Sequence, residues 1–365
     1  MILRTRDLNR ALLERQLLLG RRKRSARATV EHLVGMQAQN PEDPYVGLWT
    51  RLEGFRHEEL ARLIQGRRAV RIALMRSTLH LVSARDCLAF RPVLQAMLER
   101  QLRGCVFGRN IAGLDPGALV AAGRAALDGK PLTNQALGQR LRERWPERDA
   151  TALGNAIRTL VPLIQVPPRG IWGASGQAVL ATAEEWLGRP LDPEPSVERM
   201  LLRYLAAFGP ATVADMQSWS GMARLDETIA RMAPRLRTFH DERGRELFDL
   251  PRAPRPDGDT PAPPRFLPLY DNVLLGHADR TRVLSEEARR RRTSPNGVWP
   301  AAFLVDGFVA GSWRVVRRGD AATLYIEPFA RLARPDRAAV LEEGEGLLAF
   351  IAGDARRRDV KLSSG

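Results

Sequence analysis

A mainly α-helical fold with a small β component is predicted, built as three tandem winged helix-turn-helix units followed by a C-terminal β-barrel-like module. Three observations predict it. A helix, helix, helix, hairpin order recurs three times along residues 1–250. A proline-rich stretch, 251–264, then interrupts the pattern. Beyond it, short alternating segments between Asp-Gly and Gly-Asp turns replace the helical spacing. The chain has 365 residues, 44% hydrophobic and 27% charged. That is ample apolar material for a core of its own, so disorder throughout is excluded. No run of about 18 apolar residues is present, which excludes a membrane-spanning helix.

The first unit covers 1–110. Residues 7–19 are leucine-rich with helical spacing. Thr29 heads a second helix, and a third follows from about Tyr45. A basic amphipathic stretch runs from Arg56 to Arg68, and residues 70–82 alternate as two short strands. The second unit, 111–194, has helices over 115–128, from Thr133 after Pro131, and over 150–161. A strand at 163–166, a Pro167-Pro168-Arg169-Gly170 turn and a strand at 171–173 close it. The third, 195–250, has helices over 196–208, from Thr212 and over 224–233, then a hairpin within 235–250. In each unit a threonine stands where a side-chain oxygen can accept a free backbone N–H of the helix start. Residues 251–264 read as a linker, because proline at that density supplies too few N–H donors for helix or sheet. The last module, 265–365, has strands within 266–270, 302–305, 308–310 and 323–326. Asp306-Gly307 and Arg318-Gly319-Asp320 are its turns, and a helix over 335–352 closes it.

Charge narrows the function. Lysine plus arginine number 57 against 42 acidic residues, a net charge of +15. A polyanionic partner, above all nucleic acid, fits that balance. Nearly all the cations are arginine, a bias that a G+C-rich genome produces without function. The runs Arg21-Arg22-Lys23-Arg24 and Arg289-Arg290-Arg291-Arg292 read as loose surface charge. Cys87 and Cys105 form no metal-ligand spacing and read as reduced thiols, so neither a zinc site nor any cofactor is expected. The start of the chain has no apolar signal region, and a cytoplasmic, nucleoid-associated location is expected. Nucleotide-binding, serine-hydrolase and zinc-protease motifs are absent, and the five histidines are unpaired.

The unusual segment is Gly35-Met36-Gln37-Ala38-Gln39-Asn40-Pro41-Glu42-Asp43-Pro44. Pro41 and Pro44 keep it out of a helix. In extended backbone, residues two apart face the same way, so Gln37 and Gln39 would present two amides together. Taken alone, the segment fits a polar loop capping neighbouring helices better than a site.

Gly35-Met36-Gln37-Ala38-Gln39, followed by Pro44-Tyr45, resembles a signature of the AlkZ/YcaQ family of bacterial DNA glycosylases. Arg76-Ser77-Thr78-Leu79-His80-Leu81-Val82 with Asp86, and Leu267-Pro268-Leu269-Tyr270-Asp271-Asn272-Val273-Leu274-Leu275 with Arg280 and Arg282, are similar to two others. The resemblance implies tandem winged helices scaffolding a basic concave surface for duplex DNA, and a catalytic pair, Gln37 and Gln39. Their Gln-Ala-Gln form resembles the branch that protects producers of the crosslinker azinomycin B. A β-hairpin in the DNA cleft is also implied, and Val315–Ala321 is the local candidate. DNA contacts are expected from Arg76, His80, Arg158, Arg169, Arg314, Arg317 and Arg318. The expected partner is duplex DNA carrying alkylated or crosslinked purines, met by a monomer. The competing readings are a transcription regulator with a ligand-sensing β module, which three winged units fit poorly, and a non-catalytic lesion shield.

Physical chemistry permits glutamines in that role. Alkylation at N7 leaves a cationic purine, already a good leaving group. What remains is to hold one water and stabilise an oxocarbenium-like sugar, which is positioning and preorganised dipoles. Glutamine does not titrate, so a rate nearly flat from about pH 6 to 8 is expected. Glu42, Asp43 and His80 are the first suspects for any departure. No lysine lies near the loop to form a Schiff base, so base hydrolysis alone is expected.

Overall fold

The structure is a computed structural model that describes residues 1–291 and 300–363. The third unit follows the expected order, with helices Val197–Phe208, Val213–Ser220 and Asp226–Met232 before a hairpin, Arg237–Asp241 with Glu246–Asp249. The second has helices Pro116–Leu127, Asn134–Arg142 and Ala150–Leu160. Thr133 and Thr212 cap their helices, accepting the N–H of Ala136 and Asp215. Thr29 does not. Ser25 caps the helix Ala26–His32, and the Thr29 hydroxyl turns back to the Ser25 carbonyl.

The hairpins of the first two units do not stand apart. Ala69–Ala73 and Leu79–Ser83 join Leu163–Val166 and Val179–Thr182 through Arg71↔Gln165 and Ile72↔Ile164. The result is one six-stranded antiparallel sheet, with Met36–Gln37 as the edge strand beside Leu79–Ser83. The strand expected at 171–173 lies instead at Val179–Thr182. Trp172 turns inward, its ring 5.3 Å from Tyr45 and 4.2 Å from His57. A 21-residue helix, Ala84–Gly104, was not anticipated, since Pro92 in its interior breaks the sequence signal.

The C-terminal module is an open five-stranded sheet, not a barrel. Its strands run in chain order, Arg265–Leu267, Ala302–Val305, Phe308–Arg318, Ala321–Pro328 and Arg357–Leu362, with the last pair parallel. First and last strands do not pair. Closure is replaced by the helix Arg334–Ile351, whose Val340, Leu347 and Leu348 pack on Phe266, Leu324 and Ile326. Gly344 lets that helix approach: a Cβ there would sit 3.1 Å from Leu324 and Ile326. The strand Arg357–Leu362 was missed because its polar, half-exposed residues carry little apolar alternation.

One apolar cluster runs through all three helical units and into the C-terminal module, from Leu12 and Ile72 through Ile164, Met200 and Trp219 to Leu267 and Leu304. Residues 251–264 have no regular structure, yet Arg6, Arg10 and Arg15 of the first helix, Thr5–Arg15, donate to the carbonyls of Gly258, Thr260 and Pro254. The linker is thus strapped across that helix. Nor is the first basic run loose: Arg21 pairs with Glu343 at 2.7 Å and stacks on Trp49. Arg292 of the second run lies outside the described residues. No described helix is long and apolar enough to cross a membrane.

Candidate active site

The glutamine segment is shaped by the residues before it. Val34 and Gly35 have φ of 58° and 91°, which stop the helix Ala26–His32. Gly35 also packs where a Cβ would be 2.7 Å from Val82, so the backbone runs directly against the next strand. Met36 then pairs with Leu81 and Gln37 with His80, and the Ala38 N–H donates to the Leu79 carbonyl at 2.7 Å. This is the extended backbone the two prolines predict. Its two amides have different surroundings. Gln37 is buried, and its Oε1 accepts from Arg76 Nη2 at 2.8 Å. Gln39 is exposed, and its side chain has no hydrogen bond among the described residues.

A buried arginine, Arg71, and a half-buried one, Arg76, underlie the segment. Arg76 sits in the turn between Ala69–Ala73 and Leu79–Ser83 and donates through Nη1 to the Trp219 carbonyl at 2.6 Å. Arg71, in the middle of the sheet, donates to the Ala38 carbonyl at 2.6 Å and to Gln165 Oε1 at 2.8 Å. Burial pulls both guanidinium groups down to about 10, and the nearby cations Arg280 and Arg169 pull the same way. Both stay charged at neutral pH, and neither is in an ion pair with a described carboxylate. The glutamine strand therefore rests on positive charge whose direct hydrogen bonds go to neutral dipoles.

Asp43, four residues beyond Gln39, is 6% exposed. Its Oδ1 accepts from Asn40 Nδ2 at 3.0 Å, while Oδ2 has no hydrogen-bond partner among the described residues. Burial pushes this carboxyl up to about 7; the Asn40 bond opposes the shift, and the charges of Asp271 and Glu42 add to it. The segment 268–275 braces the loop from behind. Asn272 Nδ2 donates to the Gly35 carbonyl at 2.7 Å. Asp271 takes a bidentate pair from Arg51 at 2.9 and 2.8 Å, and Arg51 also donates to the Gly47 carbonyl of the following helix. Nothing in the periodicity marks Arg71, Asp271 or Asn272 for these roles. Asp271 and Asn272 lie inside a quoted signature, whereas Arg71 reads as one more strand residue.

A groove of about 890 Å³ adjoins the loop, bounded by Glu42, Arg56, His57, Trp172, Arg317 and Phe350. The His57 ring lies between Trp172 and Phe350, 4.2 and 4.0 Å away, and its buried Nε2 has no hydrogen-bond partner among the described residues. The expected DNA contacts fare differently. His80 is buried, its Nδ1 2.9 Å from the Thr78 carbonyl, and burial drives it down to about 3, so it is neutral and faces the protein interior. Arg158 is half-buried beside Asn155, and Arg169 donates to the Gly176 carbonyl. In the hairpin, Arg314 pairs with Glu327 and lies over Tyr325, and Arg317 is held bidentate by Asp354 at 2.8 Å. Arg318, at the tip, is exposed without a partner among the described residues. The structure thus brings Gln37, Arg76 and His80 together and leaves the other arginines on separate segments. Among the described residues no cluster of His, Cys, Asp and Glu could hold a metal.

Known proteins resemble this arrangement. A Streptomyces sahachiroi protein described as an interstrand DNA cross-link repair glycosylase is 26% identical over 351 residues, covering 91% of this chain and 92% of its own. The solved structure of the Streptomyces sahachiroi DNA glycosylase AlkZ superposes with a TM-score of 0.82 at 22% identity, over 100% of both chains, which establishes a shared fold. Residues 30–350 match the family described as DNA glycosylase AlkZ-like, a span that includes the glutamine strand, Arg71, Arg76 and the bracing segment. The chain belongs to the AlkZ-like family of DNA glycosylases.

Proposed function

We propose that this glycosylase hydrolyses the N-glycosidic bond of cationic N7-alkylpurines in duplex DNA, including interstrand crosslinks such as those of azinomycin B, with Gln37 and Gln39 as the catalytic pair. The observation that carries the reading is the pairing of one amide anchored on a half-buried cation with one free amide two residues on, at the edge of a sheet. The water oxygen bonds to C1′ as the C1′–N9 bond breaks. The bonding electrons return to the purine ring and cancel its positive charge, and the water proton passes to solvent. No acid is needed to protonate such a base, so uncharged side chains that position water and polarise the sugar suffice.

In this reading the three helix–hairpin units act as winged helices presenting arginine to phosphates, and the hairpin Phe308–Pro328 enters the DNA with Arg318 at its tip. Arg317 and Arg314 serve it less directly, since both already hold carboxylates. The name of the Streptomyces relative, a cross-link repair glycosylase, supports the crosslink as substrate. A tethered base does not enter a closed pocket, and the open groove beside the loop suits reading the lesion in the duplex. The test is release of free base from a duplex carrying one N7-methylguanine against a matched duplex carrying uracil. Release from the first alone is expected; comparable release of uracil overturns the mechanism.

A further inference from the structure

Two glutamines of identical chemistry are ambiguous, because each amide carries both a donor and an acceptor. The surroundings of Gln37 remove the ambiguity. A guanidinium has five N–H donors and no acceptor, so the end of the Gln37 amide that faces Arg76 at 2.8 Å must be its oxygen. The NH2 group then points the other way. It has no hydrogen-bond partner among the described residues and is not among the buried unpartnered atoms, so the small exposed part of Gln37 includes this donor.

Arg76 is itself fixed. Its backbone and that of Ser77 are left-handed, with φ of 56° and 57°, a conformation that non-glycine residues hold only under constraint. The constraint is the third helical unit. Gly221, with φ of 80°, lies so close that a Cβ there would be 3.1 Å from Arg76 N and Cα. The Trp219 carbonyl, near the C-terminal end of the helix Val213–Ser220, takes the other guanidinium nitrogen. A cation at a helix C-terminus meets the negative end of the helix dipole. Arg76 therefore connects the third unit to the glutamine strand of the first, with no carboxylate among the described residues paired to it.

We propose that Arg76 is a positioning residue that locks Gln37 as a hydrogen-bond donor toward the DNA. This rests on the assignment of Gln37 and Gln39 as the catalytic pair. The donor faces an acceptor on the substrate, a sugar, phosphate or purine oxygen or nitrogen, and the charge on Arg76 strengthens it by drawing electron density through the amide oxygen. Arg76 is then read through Gln37, not as a phosphate contact.

The test uses single-turnover excision of N7-methylguanine from duplex DNA at saturating protein, with DNA affinity measured in parallel. Gln37→Glu keeps the size and gains an ion pair with Arg76, so it folds, but it presents only acceptors. It is expected to lose roughly 10²-fold in rate, as for removal of one preorganised donor, with affinity nearly unchanged. Arg76→Met is expected to lose rate in the same way, and Arg76→Lys, which keeps a donor to Gln37 Oε1, to recover most of it. Wild-type rate in Gln37→Glu overturns the donor role. A defect of Arg76→Met confined to affinity and its salt dependence makes Arg76 a phosphate contact and overturns the lock. Undiminished rates in both Gln37→Ala and Gln39→Ala would instead remove the catalytic pair itself, a separate failure.

Discussion

Asp43 is where a single side chain leaves the most measurable trace. Its carboxyl is raised from an ordinary value near 4 to about 7 because burial disfavours the charge and Asp271 and Glu42 repel it. The Arg71 cation and the Asn40 amide act in the opposite sense without cancelling the effect. Below about pH 4 both folded and unfolded chains hold the proton, and no difference arises. Between about 4 and 7 the unfolded chain has released it while the folded chain keeps it. Stability therefore falls as pH rises through this window, with a limiting slope of about 1.4 kcal/mol per unit, and levels off above 7. Denaturation of wild type and Asp43→Asn from pH 4.5 to 8 checks this. The substitution is expected to flatten the decline in that window; an identical decline in both proteins would place the titration elsewhere. The glutamines do not titrate, so the excision rate is expected to stay nearly flat from about pH 6 to 8; a bend near pH 7 that disappears in Asp43→Asn would instead tie the rate to this carboxyl. His80, another of the candidate titrating groups, on the strand Leu79–Ser83 beside the loop, is neutral throughout this range.

At the scale of elements, the glutamine strand and the hairpin are held by different means. The strand depends on Gly35, whose φ of 91° disfavours a side chain and where a Cβ would sit 2.7 Å from Val82. Gly35→Ala is expected to cost about 1–3 kcal/mol and to slow excision by displacing Gln37, measured by denaturation and single-turnover rate together. The hairpin carries its charge at the tip. Arg318→Ala is expected to reduce the slope of log affinity against log salt by about 0.9, the value of one phosphate contact, whereas Arg317→Ala, losing an arginine already paired with Asp354, changes it less.

These elements also mark where sequence and structure part. The extended glutamine segment, the hairpins and the Thr133 and Thr212 caps were legible because each rests on local chemistry: proline stereochemistry, period-two alternation, a hydroxyl at a helix start. Three features were not. The edge strand Arg357–Leu362 pairs with Ala321–Pro328, the hairpins of the first two units fuse through Arg71↔Gln165, and the C-terminal sheet stays open with a helix covering it. Each is decided by contacts distant in sequence. At the site, the extended glutamine segment was legible, but the way Arg71, Arg76 and Asn272 hold it was not: Arg76 was expected as a DNA contact and Asn272 stood only within a signature. Those partners lie 33 to 237 residues away, and nothing in the local spacing records them.

The molecule as a whole is tied together by buried ion pairs that cross from the helical units to the later parts of the chain. Arg51–Asp271 and Arg15–Asp249 are almost wholly excluded from solvent. Asp271 also caps the short helix Asn272–Leu275 by accepting the Val273 N–H, and its neighbour Asn272 holds the Gly35 carbonyl. Removing one member leaves a buried charge uncompensated, so Asp271→Ala is expected to cost about 3–5 kcal/mol, read as a lower denaturation midpoint. The same architecture places a strand from the first unit, a turn secured by the third and a brace from the C-terminal module around two amides. The central claim is that those two uncharged side chains, so held, carry the chemistry. The most direct measurement is the single-turnover rate of N7-methylguanine release by the protein with both Gln37→Ala and Gln39→Ala, at protein concentrations that saturate the DNA. Loss of excision with DNA affinity retained is the predicted result. Excision at the wild-type rate would contradict the account.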